Sequence, residues 1–285
     1  MNAQRDDRVA LALGAGGARG LAQIGVIEAI QARGLRIAAV AGSSSGALVG
    51  GVFAAGKLAE FRAAIEALDR GAFLRLLSDP ALGEGGLFHG HRLVPDIEPL
   101  PVPFTAVAVD LLRQRVVWLR SGPLWQALRA SFAIPGLFTP AVVHGRELVD
   151  GGLLAPLPIT ATRLSDAHRL IAVDMHGWPQ RPQGKLPDER ADEDDGHGLA
   201  AWIERRVRRH WPERDEHAIG LTEVMARSLD TMQAQISRVQ LALDPPEVLI
   251  RIPRDASSFY EFWRAKELVE IGRAEADKAL DAAGY

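Results

Sequence analysis

Val40-Ala41-Gly42-Ser43-Ser44-Ser45-Gly46-Ala47-Leu48-Val49 reads as the end of a buried strand, a sharp turn and the start of an apolar helix. Within it, Gly42-x-Ser44-x-Gly46 fits the nucleophile-elbow pattern. In that pattern a strained strand-to-helix turn lifts an exposed serine hydroxyl clear of a sheet, and the flanking glycines relieve steric crowding. The same three serines also suit a plain turn that ends in a helix N-cap, a position serine favours. A motif this short leaves both readings open.

Working upstream, Val9-Ala10-Leu11-Ala12-Leu13 is a short apolar run ended by glycine, as expected of a strand covered on both faces. Gly14-Ala15-Gly16-Gly17-Ala18-Arg19-Gly20 follows, and then apolar residues at 21, 24, 27 and 30 with helical spacing. Gly34 stands where a C-cap would be, and Ile37 to Ala41 forms the strand that feeds the elbow. This is a β-loop-α-β unit, so the two strands are expected to be parallel neighbours with a right-handed crossover.

The glycine loop has three readings. A dinucleotide fingerprint begun at Gly14 needs glycine where Arg19 stands, and no acidic residue lies about 20 positions on to hold a ribose. A phosphate-cradling Walker loop needs a terminal Gly-Lys-Ser/Thr, which is missing here. The nearest match, Gly51 to Lys57, has Leu58 in place of the hydroxyl, and Gly56 reads as a helix stop. The third reading is an oxyanion hole, in which glycines let successive backbone N–H groups point at one anionic oxygen beside a helix N-terminus. That role requires a nucleophile on the adjacent strand, and the elbow supplies one.

Downstream, amphipathic segments cover Leu58 to Leu68 and Leu124 to Phe132, and two strands with a polar turn cover Phe104 to Val109 and Arg115 to Leu119. Residues 80–103 are rich in glycine and proline and read as surface connection. His89 and His91 lie there, where solvated loop histidines are commoner than a metal pair. Arg146 to Val149 is a strand running into Asp150-Gly151-Gly152. An Asp at that place is usually a turn residue. Here it is also the best-placed base, at the strand end where α/β sheets put their sites. Arg169 to Asp174 and Val248 to Ile252 are further strands, and Thr222 to Leu243 and Phe259 to Leu280 are long amphipathic helices.

The 285 residues carry a net charge of −3, 47% hydrophobic and 24% charged residues, and no cysteine. That balance suits a globular chain with a sizeable core, without a basic field for nucleic acid. Disulfides, thiolate metal sites and thiol nucleophiles are excluded. No apolar run approaches the roughly 20 residues of a spanning helix, and the first one is too short for a signal-peptide core, so a cytoplasmic protein is expected. Neither a cofactor nor a metal is expected, and the sequence carries no signal for an oligomeric state. With no internal repeat and no linker between two cores, residues 1–285 read as one domain. A polar insertion at about 176–221 holds six acidic residues between Asp188 and Asp195.

Together, Gly14 to Gly20, Gly42 to Gly46 and Asp150-Gly151-Gly152 resemble the patatin-like phospholipases, in particular their compact bacterial members. Ala130 to Phe138 and the stretch from Asp244 to Ile252 are similar to the same family, and the likeness covers most of the chain outside 176–221. The resemblance implies a three-layer α/β/α sandwich around a mostly parallel sheet, and a Ser–Asp dyad that hydrolyses acyl esters of lipids. Ser44 would be the nucleophile and Asp150 the base. Gly14, Gly16, Gly17, Ala18 and Arg19 would line the oxyanion hole and substrate site, with Gly20, Gly42, Gly46, Gly151 and Gly152 as the motif glycines. The family's loop often has glycine where Ala15 stands. Arg19 would either bind a phosphate head group or fix the loop.

Two rivals stand beside this reading. One is a Ser-Asp-His α/β-hydrolase, for which His176 at the end of a strand is the triad candidate. The other is a catalytically silent lipid- or nucleotide-binding module. Residues 199–211 place Leu199, Ile203, Val207 and Trp211 on one helical stripe, with Trp202 at its margin and arginines elsewhere. This fits either a helix packed on the domain or a peripheral membrane contact.

Overall fold

The computed structural model describes residues 7–71, 95–136, 138–163, 165–167, 169–180 and 221–285. His89, His91, His168, the acidic run and the helix expected at 199–211 lie outside the described residues.

Among the described residues, all eight strands join one mixed sheet. They are β1 (Arg8–Leu13), β2 (Arg36–Ser43), β3 (Phe104–Asp110), β4 (Arg115–Leu119), β5 (Ala141–Val143), β6 (Arg146–Asp150), β7 (Arg169–Gly177) and β8 (Val248–Pro253). The order is β5-β6-β3-β2-β1-β7-β8, with β4 hairpinned onto β3. β1 pairs in parallel with both β2 and β7, and β2–β3 and β7–β8 are parallel too. β5 is a three-residue edge strand, too short to show a pattern in the sequence.

The helices are α1 (Ala22–Ala32), α2 (Ser45–Ala54), α3 (Leu58–Glu66), α4 (Leu124–Ser131), α5 (Leu221–Leu243) and α6 (Ala265–Ala282). The last begins later than the spacing suggested, because a 3-10 turn, Phe262–Arg264, precedes it. Strand periodicity assigns the layers. Val9, Leu11 and Leu13 of β1 join α1, α2, α4 and α6 in the large core on one face. Ala10 and Ala12 face the other way, toward Leu157, Ile159 and Leu241 of α5. Large side chains thus meet the helix-rich layer and alanines meet the thinner one, where α5 and the turns of 151–162 lie close to the sheet. This is the three-layer sandwich with one heavy and one light outer layer.

α1 is buried between the sheet and α6. A Cβ on Gly25 would fall 1.9 Å from the Val269 carbonyl, and one on Gly272 would fall 1.8 Å from that of Ala22. The two helices therefore touch backbone to backbone, which fixes the glycine loop at the start of α1 against the C-terminal helix.

The path of β3 positions the site. Its residues 104–107 pair with β2, and 108–110 pair with β6. β4 occupies the opposite edge along 106–110, so β2 and β6 share one edge in succession. β2 runs parallel to β3 and β6 antiparallel, so their C-terminal ends meet there. The elbow and Asp150 sit at that meeting point.

Candidate active site

Ser44 caps α2 with φ 55° and ψ −125°, a left-handed backbone that costs a non-glycine residue about 1–3 kcal/mol. The surroundings impose it. A Cβ on Gly42 would lie 2.4 Å from the Gly46 carbonyl, and one on Gly46 would lie 2.2 Å from the Leu13 carbonyl. Only glycines let strand, turn and helix approach this closely. The three serines are told apart by their partners. Ser43 Oγ donates to the Ala155 carbonyl at 2.6 Å, and Ser45 Oγ is buried without a partner beside Gly20. The strained residue is Ser44.

The hydroxyl is not exposed as the elbow pattern suggested: Ser44 is 3% accessible and Asp150 is 2%. Ser131, at the end of α4, closes one side. Its Oγ accepts the Ser44 N–H at 3.0 Å and donates to the Val107 carbonyl at 2.5 Å. Ser131 lies in the amphipathic segment Leu124 to Phe132, and nothing in its local sequence marks it as a support for the elbow.

Asp150 Oδ1 accepts the Gly152 N–H at 2.6 Å, while Oδ2 is buried without a hydrogen-bond partner of good geometry. Burial raises the Asp150 carboxyl to about 7, against the lowering effect of the nearby Ser44 hydroxyl and of the Gly152 N–H. The structure thus brings Ser44 and Asp150 together, with the carboxyl poised between its two forms near neutral pH.

The glycine loop lies alongside. Gly14 N–H donates to the Val173 carbonyl, Ala15 N–H to that of Pro156 and Ala18 N–H to that of Phe259. The Ala18 amide, expected to help hold an oxyanion, is therefore committed elsewhere. The amides of Gly16 and Gly17 have no partner among the described residues. Gly14 and Gly20 serve packing, against Val173 and Ser45, and Gly151 and Gly152 pack against Val107 and Gln233.

Arg19 is turned into the protein. It is 4% exposed, and its guanidinium donates to the carbonyls of Gly16 at 3.4 Å and Arg254 at 2.9 Å and pairs with Asp230 of α5. Of the two roles open to it, fixing the loop is the one its contacts fit. His176 turns its ring nitrogens to two other carboxylates. Its Nδ1 lies 3.2 Å from Asp174 and its Nε2 3.4 Å from Asp230. Burial works against the charge on His176, but both carboxylates outweigh it and the imidazole pKa is raised. Gln233 of α5, 4% exposed, brings its amide nitrogen against Gly152. Helix periodicity marked α5 as amphipathic but could not show that Asp230 and Gln233 reach the site. Among the described residues no cluster of His, Asp and Glu is arranged to hold a metal ion.

A serine on a strained strand-to-helix turn, a buried carboxylate at the next strand end and a glycine loop with two open amides define an α/β protein of the serine-elbow class. Within that class the chain belongs to the patatin-like phospholipase family, whose description matches residues 11–163. It is 39% identical to an uncharacterized NTE family protein of Mycobacterium tuberculosis, over 96% of this chain and 92% of that one. It is 29% identical to Lysophospholipase NTE1 of Cryptococcus neoformans, over 77% of this chain but only 14% of that much longer protein. The crystal structure of VipD from Legionella pneumophila is similar at a TM-score of 0.49 and 15% identity, over 97% of this chain and 67% of that one.

Proposed function

We propose that the protein is a serine acyl hydrolase that cleaves carboxylic ester bonds of lipids through Ser44 and Asp150. The observation that carries this is the buried pairing of a strained serine with a carboxyl whose pKa is raised to about 7. An ordinary carboxylate is a poor base for a hydroxyl, and desolvation brings it into the range useful for general base catalysis. The family assignment supports a lipid ester as substrate, and the name of the fungal relative points to lysophospholipids.

In this mechanism Asp150 takes the Ser44 proton as Oγ attacks the ester carbonyl, and the N–H groups of Gly16 and Gly17 hold the resulting oxyanion. Collapse expels the alcohol, which leaves with the proton from Asp150, and an acyl-Ser44 ester remains. Asp150 then deprotonates a water that attacks this ester, and the proton returns to Ser44 as the fatty acid departs. No helix among the described residues is long and apolar enough to cross a membrane. A lipid would be met by peripheral contact, for which residues 199–211 are the proposed segment.

Hydrolysis of lysophospholipids, diacyl phospholipids and short p-nitrophenyl esters by the purified protein, beside its Ser44→Ala variant, tests the reading. Fatty-acid release by the wild type alone is the expected result. Equal release by both proteins, or none by either across all three substrate classes, would overturn it.

A further inference from the structure

We propose that Asp230 on α5 is a positioning residue for the oxyanion-holding peptide, acting through Arg19. This inference rests on the hydrolase reading above and adds a residue to it.

The Gly16 carbonyl and the Gly17 N–H belong to one trans peptide and so point in opposite directions. Whatever holds that carbonyl aims that N–H. The loop is anchored on either side by the amides of Gly14, Ala15 and Ala18, each bonded to a carbonyl of another segment. The Gly16–Gly17 peptide lies between these anchors, at the mouth of a 3-10 turn, Gly17–Leu21. Such short turns have poor hydrogen-bond geometry. The two glycines carry no side chain to restrain rotation, and Gly17 already stands at φ +56°. Among the described residues, Arg19 is the only side chain that bonds this peptide, through Nε to the Gly16 carbonyl.

A guanidinium is a rigid planar fork, so fixing its two terminal nitrogens fixes the direction of Nε. One terminal nitrogen donates to the Arg254 carbonyl and the other pairs with Asp230, brought from 211 residues further along the chain. Asp230 in turn sits 3.4 Å from His176, which is backed by Asp174. Burial opposes the Asp230 charge, but His176 and Arg19 outweigh it and hold the carboxyl at about 2, so it stays ionised wherever an esterase works. Arg19 itself is buried, and a buried cation without its partner is strongly unfavourable. Loss of the Asp230 charge would make the guanidinium turn away in search of solvent or another acceptor, and the Gly16 carbonyl would lose its side-chain tie.

The consequence falls on the transition state rather than on substrate binding, because the Gly17 N–H meets full negative charge only there. Removing an oxyanion donor outright costs about a hundredfold to a thousandfold in kcat. Misaiming one is expected to cost about tenfold to a hundredfold.

The test compares wild type, Asp230→Asn, Asp230→Glu and Arg19→Lys for ester hydrolysis and for the rate of covalent labelling by a fluorophosphonate, with Ser44→Ala as the control. Asp230→Asn and Arg19→Lys should lower kcat and the labelling rate together while KM stays within about threefold, and Asp230→Glu should recover most of the loss. Arg19→Lys keeps a charge for Asp230 but cannot span three acceptors, so it remains informative if Asp230→Asn folds poorly. Wild-type kcat in folded Asp230→Asn or Arg19→Lys would overturn the proposal. So would a loss expressed in KM alone, or one that Asp230→Glu does not relieve. Failure of the hydrolase reading would look different, as a Ser44→Ala control that still hydrolyses and labels.

Discussion

Ser43 and Asp150 end two strands that meet head to head on one edge of β3: Ser43 is paired with Val107 and Asp150 with the next residue, Ala108. One register therefore sets the distance between the elbow and the carboxylate, and neither depends on a long flexible loop. The pairing of Ser44 with Asp150 follows from strand geometry.

Base catalysis needs the ionised form of Asp150, whose pKa is raised to about 7 by burial. kcat/KM, which reports the free enzyme, should rise with pH through an inflection near 7 and level off above it. A pH profile of ester hydrolysis checks this. A plateau that extends unchanged down to pH 5 would mean that the essential base is an ordinary carboxylate.

His176, whose imidazole pKa Asp174 and Asp230 raise against its burial, is a second titrating group beside the loop. The two are separated by substitution. His176→Ala should keep activity within about tenfold of wild type and retain the inflection, because the Arg19–Asp230 pair survives. Loss as deep as that of Asp150→Asn would revive the serine–aspartate–histidine triad.

The raised pKa also has a cost in stability. The folded state holds the Asp150 proton more tightly than the unfolded chain, where the carboxyl titrates near 3.8. Stability from this group is full below that value and is lost as pH rises through about 7. Asp150→Asn should be inactive yet stabilised, by little at pH 4 and by on the order of a few kcal/mol at pH 8. Urea unfolding at the two pH values measures it. An equal effect at both would contradict the buried, desolvated carboxyl.

How much of this was legible beforehand varied with the kind of signal. The β-loop-α-β unit was plain because Val9–Leu13 and Ile37–Ala41 are short apolar runs bounded by glycines, and because the helix between them keeps its spacing. Ser44 and Asp150 could be named from local motifs. Their burial could not, since it comes from Ser131 and from the light outer layer, which join the site through tertiary contacts. The commitment of the Ala18 amide to Phe259 was equally hidden, because its partner lies 241 positions away. The sharpest example is Asp230. A single acidic residue on an amphipathic helix looks like solvated surface until the fold sets it against Arg19.

Ser131 gives a prediction that no motif would suggest. Its hydroxyl bridges the Ser44 N–H and the Val107 carbonyl in a fully buried position. Ser131→Ala would leave both groups without this partner, at a cost of about 1–3 kcal/mol for each group left unsatisfied. Thermal unfolding should show the loss, with activity reduced because the strained elbow is no longer held. A melting temperature and activity equal to wild type would show that the elbow needs no such support.

Covalent trapping reads out directly whether Ser44 is the nucleophile. The protein is treated with a fluorophosphonate, digested, and the modified residue located by mass spectrometry, in parallel with Ser44→Ala. A single adduct on Ser44 and none on the variant, whose fold should be intact, is the expected result. An adduct on Ser43 or Ser45, or undiminished labelling of Ser44→Ala, would contradict it.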